Sequence, residues 1–246
     1  MSGSAPQRVV VFLDYQNVYH RARDAFCSPP ASASQGQIDP PALGHLLAGR
    51  VPGGRLTGVR VYRGRPSQRR DARSYAAHRR QTDRQVSRGD RLVTVISRDL
   101  RYPPEWPRRA AQEKGIDVAL AVDLVVMVAN RACDVGILFS NDTDQAPAPE
   151  AVLAPRPQDP PACEVAAWAA PGVRPRSLSV RAARIRRHLL TAAEYRSVSL
   201  AASPPAASEN ERGRAVFPSD GGVDVDVRAQ RRRPAGGGMV ESGRSR

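Results

Sequence analysis

Short apolar runs rich in β-branched residues recur along this chain, and a polar, helix-compatible segment follows most of them. The runs comprise residues 8–13, 56–62, 91–97, 135–140 and 164–168. Because they are nearly continuous rather than alternating with polar residues, they are typical of strands buried on both faces of a parallel sheet. Strands that alternate with helical segments predict an α/β sandwich built around a mainly parallel sheet.

Helix signals occupy the segments between these runs. The sequence after the first run indicates a short turn into a helix, and Asp39 followed by two prolines is a helix start that continues through Leu47. Residues 68–88 are arginine-rich with few apolar positions, which predicts a solvated helix. The mostly apolar residues 116–128 are interpreted as a short extended entry and then a helix that begins near residues 121–123.

Composition sets the expected domain organisation. The chain has 246 residues, enough to bury a sizeable core, and its 22 prolines and 19 glycines are unevenly spread. Apolar spacing ends near residue 200, so we expect one domain over residues 1–200 and a disordered Pro/Gly/Arg-rich tail over residues 201–246. No run approaches the roughly 18 apolar residues of a membrane span, and no signal peptide is recognisable, so we expect a cytoplasmic protein without a membrane partner.

The cysteines and histidines indicate no site of their own. Cys27, Cys133 and Cys163 are far apart and form no CxxC pair, so we expect three reduced thiols in or near the core. The histidines lack metal-ligand spacing and are expected to be ordinary surface or core residues. These are His20, His45, His78 and His188.

The chain is strongly basic, with a formal net charge of +14, and its only lysine is Lys114. Such an excess attracts polyanions, and the arginine side chain binds phosphate through two parallel hydrogen bonds. An arginine-rich composition also follows from a GC-rich genome, so the charge alone does not identify a nucleic-acid partner.

Acidic residues follow two of the apolar runs. Asp14 ends the first run, while Asp142 and Asp144 follow the fourth, and Asp117 and Asp123 lie between them. The carboxyl ends of neighbouring parallel strands border one crevice, so these side chains are expected to converge there. The predicted helix start favours Asp123 over Asp117. Each aspartate alone is also explained as a helix cap or turn residue; their joint occurrence favours a site.

Carboxylates that converge repel one another unless a cation lies between them, and hard oxygen ligands select Mg²⁺ or Mn²⁺. Metal sites of this kind hydrolyse phosphodiesters. The residues therefore predict a metal-dependent hydrolase.

Two segments resemble the NYN-domain family of the PIN-like nuclease superfamily. They are VVVFLDYQNVY, from residue 9, and KGIDVALAVDLVVMVANRACDVGILFSNDTDQAPAPE, from residue 114. The likeness runs over residues 8–168. It implies a Rossmann-like three-layer α/β/α sandwich in which aspartates bind Mg²⁺ or Mn²⁺ and cleave single-stranded or structured RNA. A non-catalytic RNA-binding or regulatory protein on the same fold is the alternative, and a DNA substrate stays open.

The resemblance also assigns roles to residues. The metal ligands would be Asp14, Asp142 and Asp144 together with Asp117 or Asp123, and Asp123 is preferred. The residues that would position substrate or ligands are Asn17, Ser140 and Asn141. Apart from the resemblance, basic charge predicts the arginines that would contact the RNA backbone, namely Arg63, Arg69, Arg70, Arg73, Arg79, Arg80 and Arg84.

The chain departs from the family pattern at two places. Asn141 stands where the family has glycine, a change that asparagine tolerates even in the left-handed conformation. Prolines 147, 149, 155 and 157 occupy a segment that is a regular helix in the family. Pro147 suits a first turn, but the later prolines are expected to disturb the helix and with it the setting of Asp144.

Overall fold

The computed structural model of the protein describes residues 5–88, 91–153, 163–172, 177–181 and 185–200. The tail predicted beyond residue 200 lies outside the described residues, as do Pro155 and Pro157. Within the described ranges, no helix is both long and apolar enough to cross a membrane.

Six parallel strands form one sheet in the order β3-β2-β1-β4-β5-β6. They are β1 (Gln7–Asp14), β2 (Gly54–Arg65), β3 (Val93–Asp99), β4 (Val135–Phe139), β5 (Cys163–Trp168) and β6 (Arg187–Leu190). The strand order reverses between β1 and β4, which are hydrogen-bonded neighbours although far apart in sequence. In doubly wound sheets of this order, a crevice opens at that reversal beyond the carboxyl ends of the strands.

Helices cover both faces of the sheet. They are α1 (Tyr15–Phe26), α2 (Pro40–Ala48), α3 (Ala72–Arg88), α4 (Ile116–Ala129), α5 (Pro147–Leu153) and α6 (Ala192–Val198). Alternate residues of β1 point to opposite faces, so Val11 packs in a core with α1, α2 and α6, whereas Phe12 packs in a second core with α4 and α5. The predicted three-layer α/β/α sandwich is confirmed, and the sheet is parallel throughout.

The structure corrects the prediction for residues 116–128. No extended entry precedes the helix, because α4 begins at Ile116, directly after Gly115 in the left-handed conformation with φ 73°. Hydrophobic residues on nearly every side of α4 hid its period. Its buried stripe includes Leu120 and Leu124, while Val118 on another side is 65% exposed. The true start places Asp117, not Asp123, in the first turn.

The prolines that follow the fourth strand are compatible with a helix. A 3-10 turn at Thr143–Gln145 leads into α5, and both Pro147 and Pro149 lie in the first turn of α5. Backbone N–H groups of a first turn have no partner within the helix, so a proline there removes no hydrogen bond. The expectation that Pro149 disturbs the helix is therefore wrong, although α5 has only seven residues.

Two elements escaped prediction, namely β6 and α6. The four residues of β6 alternate between exposed and buried positions at the edge of the sheet. Its sequence, RHLL, is too short to give a clear period. The capping box of Thr191 and Glu194 starts α6.

Gly136 determines how closely α4 packs on β4. A Cβ atom at Gly136 would lie 2.9 Å from Leu124 Cδ1 and 3.0 Å from Val128 Cγ2. We expect Gly136→Ala to lower the free energy of unfolding by about 1–3 kcal/mol, the usual cost of overpacking. Urea unfolding measures this change.

Gly58→Ala in β2 is the matched control, because its Cβ would meet its nearest atom, Val10 Cγ2, at 3.6 Å, an ordinary contact. It should be neutral or stabilise by up to about 1 kcal/mol through reduced entropy of the unfolded chain. Equal stability of the two variants would contradict close packing at Gly136.

Candidate active site

Asp14 ends β1 and caps α1 at the strand reversal. Its Oδ1 accepts a hydrogen bond from the backbone N–H of Asn17 at 3.2 Å, and its Oδ2 accepts one from the Ser140 hydroxyl at 2.9 Å. Only 7% of the residue is exposed. The carboxylate is thus held by its own helix and by the end of the neighbouring strand β4.

The loop after β4 continues this network. The Ser140 hydroxyl oxygen accepts a hydrogen bond from the backbone N–H of Asp142 at 3.1 Å, and the Asn17 side-chain oxygen accepts one from the backbone N–H of Asn141 at 3.1 Å. Asn141 has no positive φ, so the glycine of the family is not required at this position for backbone conformation. These bonds join the ends of β1 and β4 into one rigid unit.

Two further carboxylates come from the start of α4 and from the residues just before it. Asp117 lies in the first turn of α4. Glu113 lies just before this helix, and its Oε1 accepts a hydrogen bond from the backbone N–H of Gly64 in β2. Together with Asp14 and Asp142, these residues line a pocket of about 300 Å³, which we call the acidic pocket. The other lining residues all belong to α1 and are Gln16, Asn17, His20, Arg21 and Asp24.

Burial and neighbouring charges raise the pKa of three carboxyl groups of the acidic pocket, those of Asp14, Asp117 and Glu113. Burial raises the pKa of Asp14 to about 6, the charges of Asp117 and Glu113 add to this effect, and the two hydrogen bonds to Asp14 oppose it. Burial likewise raises the pKa of Asp117, with further contributions from Asp142 and Asp144. The pKa of Glu113 is raised by burial and by Asp117. Negative charge therefore accumulates in the acidic pocket, opposed by Arg21 in the lining and by Arg63, whose charge lowers the pKa of Glu113.

Asp123 does not line the acidic pocket, contrary to our preference for it as a metal ligand. It lies six residues after Asp117 on α4, about 9 Å further along the helix axis. Its Oδ2 accepts hydrogen bonds from Arg60 and from the Tyr62 hydroxyl, both at 2.6 Å. The preference depended on a helix start near residues 121–123, which was wrong. Asp123 connects α4 to β2, and Asp117 is the aspartate of α4 that lines the acidic pocket.

Asp144 lies beside the acidic pocket rather than in its lining. It belongs to the 3-10 turn, where its backbone N–H donates to Asp142 Oδ1 at 3.0 Å. Its side chain is exposed, yet its charge raises the pKa of Asp117. A ligand role for Asp144 stays a prediction, and the contacts favour Asp142.

Sequence reasoning identified Asn17 but missed Glu113 and the other polar residues of α1 that line the acidic pocket. Asn17, His20 and Asp24 recur at helical spacing after Asp14, a signal that was available once α1 was predicted. His20, expected to be an ordinary surface or core residue, lines the acidic pocket. No sequence pattern identifies Glu113, because its place depends on a contact with Gly64, which is 49 residues away in the chain.

The predicted RNA-binding arginines lie outside the acidic pocket. The Arg63 side chain lies on the other side of α1. Arg70 precedes α3 and packs over the Tyr102 ring at 5.6 Å, in a separate pocket beside the ends of β2 and β3. The remaining members of that set are exposed on α3 or just before it and comprise Arg69, Arg73, Arg79, Arg80 and Arg84. Arg21 of α1 lines the acidic pocket and was not predicted.

Comparison with known proteins identifies a family but no characterised relative. The sequence model of the NYN domain matches residues 8–154, which is more than half of the chain. No curated protein shows a significant match. Among solved structures, the chain is similar to a protein of unknown function from Vibrio parahaemolyticus RIMD 2210633, at 16% identity and a TM-score of 0.47, over 77% of this chain and 96% of that chain. The sequence identity and the TM-score are both low, so this similarity carries no argument about function.

The raised pKa of Asp14 predicts a pH-dependent cost to stability in EDTA. Because the pKa of Asp14 is about 6 in the folded protein and 3.8 for an ordinary aspartate, the charged carboxylate destabilises the fold progressively as pH rises from about 4 to 6. We expect Asp14→Asn to match the wild type near pH 4 and to exceed its unfolding free energy by up to about 3 kcal/mol at pH 7. Urea unfolding across this range measures the difference.

Asp134→Asn is the control of opposite sign. Hydrogen bonds from Arg8 lower the pKa of Asp134 to about 2, so its charge stabilises the fold throughout this pH range. The Asp134→Asn variant should be less stable than the wild type by a constant amount from pH 4 to 7. A pH-independent difference for Asp14→Asn would contradict the raised pKa.

Proposed function

This chain belongs to the NYN-domain family, whose domains are of the nuclease type, and from that premise we propose that it is a metal-dependent ribonuclease. The observation that carries this proposal is the convergence of Asp14, Asp117 and Asp142 in one pocket at the strand reversal. These residues belong to separate segments of the chain, and folding brings them together at the position where doubly wound sheets bind ligands.

The donor set of the acidic pocket fits a hard divalent cation. Its acidic lining residues offer only oxygen ligands. Burial, together with the charge of neighbouring carboxylates, raises the pKa of Asp14 and Asp117, and a bound cation would favour their charged forms. Among the described residues, no three His, Cys, Asp or Glu side chains form a ready-made metal site. On the basis of the oxygen donors that line the acidic pocket, we assign Asp14, Asp117 and Asp142 as the residues that would hold Mg²⁺ or Mn²⁺, with Asp144 beside them.

Each side chain has a separate task in the proposed reaction. A bound cation would supply hydroxide at neutral pH and charge neutralisation at the phosphate. Ser140 and the backbone of Asn17 orient Asp14 through their hydrogen bonds, so its carboxylate does not rotate away. Arg21, which lines the same pocket, would attract the phosphodiester and oppose the repulsion that the carboxylates exert on it.

RNA is the substrate class that we assign. A net charge of +14 and the exposed arginines of α3 favour a polyanion that is bound through its phosphates. Phosphate contacts of this kind do not read a 2′-hydroxyl, so the assignment of RNA over DNA comes from the family resemblance and is tested directly.

The central prediction compares two aspartates of one helix. With a labelled single-stranded RNA and Mn²⁺ or Mg²⁺, we expect cleavage by the wild type and loss of about 100-fold or more in rate for Asp117→Asn, because a lost ligand removes several kcal/mol of transition-state stabilisation. Asp14→Asn and Asp142→Asn should behave like Asp117→Asn. Asp123→Asn is the matched control and should cleave at nearly the wild-type rate, since Asp123 pairs with Arg60 instead. Gel electrophoresis of the products measures the rates.

The same assay separates the alternatives. EDTA should abolish cleavage, and a DNA oligonucleotide of equal sequence should be cut more slowly than RNA. RNA binding without cleavage in any divalent cation would overturn the enzyme and favour a non-catalytic RNA-binding protein. Equal loss of activity in Asp117→Asn and Asp123→Asn would overturn the assigned centre.

A further inference from the structure

A second pocket lies on the other side of α1 from the carboxylates. Its volume is about 280 Å³, and we call it the arginine pocket. It is lined by Tyr15, Gln16, Tyr19, His20, Ala33, Gln37, Arg63, Gly64 and Gln81. Gln16 and His20, one helical turn apart on α1, also line the acidic pocket, so the two pockets share a wall.

Arg63 is a cation near Glu113, whose charge partly offsets the effect of burial on the pKa of Arg63, but the two side chains form no ion pair. Arg63 lies near the carboxyl end of β2, one residue after the position that pairs with Asp14. Its Nε and Nη1 atoms are buried and have no hydrogen-bond partner, and no described carboxylate forms an ion pair with it. Burial lowers its pKa below the ordinary value for arginine. The nearby carboxylate of Glu113 accepts a hydrogen bond from Gly64 instead.

A partly buried guanidinium with free N–H groups is costly, since burial of a charge is unfavourable unless an opposite charge compensates it. Folding alone does not explain why such a group is aimed into a pocket. An anionic ligand does explain it, because a phosphate accepts two parallel hydrogen bonds from one guanidinium.

The rest of the pocket suits a nucleotide. The Arg63 guanidinium packs over the Tyr15 ring at 4.9 Å, and the Tyr15 hydroxyl accepts a hydrogen bond from Gln81. Tyr19 is held by Arg23, which donates to its hydroxyl and packs over its ring at 5.2 Å. Fixed aromatic rings stack on bases of any sequence, and amide side chains bond to base edges.

We propose that the arginine pocket binds a nucleotide of the same RNA strand whose neighbouring phosphodiester lies in the acidic pocket. Arg63 receives the phosphate, and the base lies against the half-buried Tyr19 ring, because Tyr15 is only 5% exposed and supports Arg63 from the core. The proposal rests on the proposed function, which supplies the strand. The wall formed by Gln16 and His20 lies between consecutive phosphates of that strand.

The test measures binding in EDTA, where no cleavage takes place. The probe is a fluorescein-labelled decauridylate RNA, titrated by fluorescence anisotropy at several salt concentrations. We expect Arg63→Gln to bind about tenfold more weakly and to reduce the salt-dependence slope by about 0.7, the value for one phosphate contact on a single strand. Arg55→Gln removes the same charge from the exposed, opposite end of β2 and should bind like the wild type. Arg63→Lys should recover part of the affinity.

Thermal unfolding separates a binding role from a structural one. Because Arg63 is partly buried and forms no ion pair with a described carboxylate, Arg63→Gln should keep or raise the melting temperature. Weaker RNA binding with an unchanged or higher melting temperature supports the proposal. Wild-type binding by Arg63→Gln, or equal weakening by Arg55→Gln, overturns it.

Two further outcomes separate this proposal from the proposed function. If no divalent cation supports cleavage but the difference between Arg63→Gln and Arg55→Gln persists, the ribonuclease assignment fails and the arginine pocket stands. Competition with uridine monophosphate identifies the source of the phosphate. If the mononucleotide binds as tightly as the decamer and also depends on Arg63, a free nucleotide is the ligand and the proposal of a strand is overturned.

Discussion

The hydrogen bond from the Ser140 hydroxyl to Asp14 Oδ2 is the interaction on which the candidate site depends. It crosses from β4 to β1, two strands that lie 126 residues apart in sequence and side by side in the sheet. The same hydroxyl oxygen accepts the Asp142 N–H, so one serine fixes both aspartates. Since β1 and β4 are buried on both faces, neither strand end can shift without disrupting a core, and the carboxylates remain close together despite their repulsion.

The convergence of these carboxylates destabilises the fold, and packing elsewhere in the protein offsets this effect. The buried core residues of α4 and β4 pack around Gly136, and the pair formed by Asp123 with Arg60 ties α4 to β2. These contacts keep Asp117 at the pocket that Asp14 and Asp142 also line, although the like charges repel one another. Sites in which local electrostatics oppose the fold are where function is expected, because selection retains such strain only for a use.

The sequence allowed prediction of the sheet and of the residues at its strand ends, because β-branched runs and the aspartates that end them are local signals. Asp14, Ser140 and Asp142 were found in this way. Asp117 was a candidate, but the start of α4 was misplaced because an almost wholly apolar helix has no visible start, and the cap preference then favoured Asp123. Glu113 and the pairing of Asp123 with Arg60 depend on contacts between distant segments, which no local pattern encodes. Pro149 was misjudged because its effect depends on how near it lies to the start of α5.

The two pockets on either side of α1 differ in charge, because carboxylates dominate the lining of one and Arg63 lines the other. Asp14 and Arg63 are close in the sheet register, and an ion pair between them would relieve both, yet the structure keeps them on opposite faces of neighbouring strands. Strand alternation produces this separation, because Asp14 has the parity of Phe12 and Arg63 has the parity of Val61. An RNA strand would compensate both charges at once if a cation in the acidic pocket held one phosphate and the Arg63 guanidinium held the next. The sheet thus produces a charge pattern that suits a phosphodiester chain. An isolated anion would compensate only the arginine pocket, and an isolated cation only the acidic pocket.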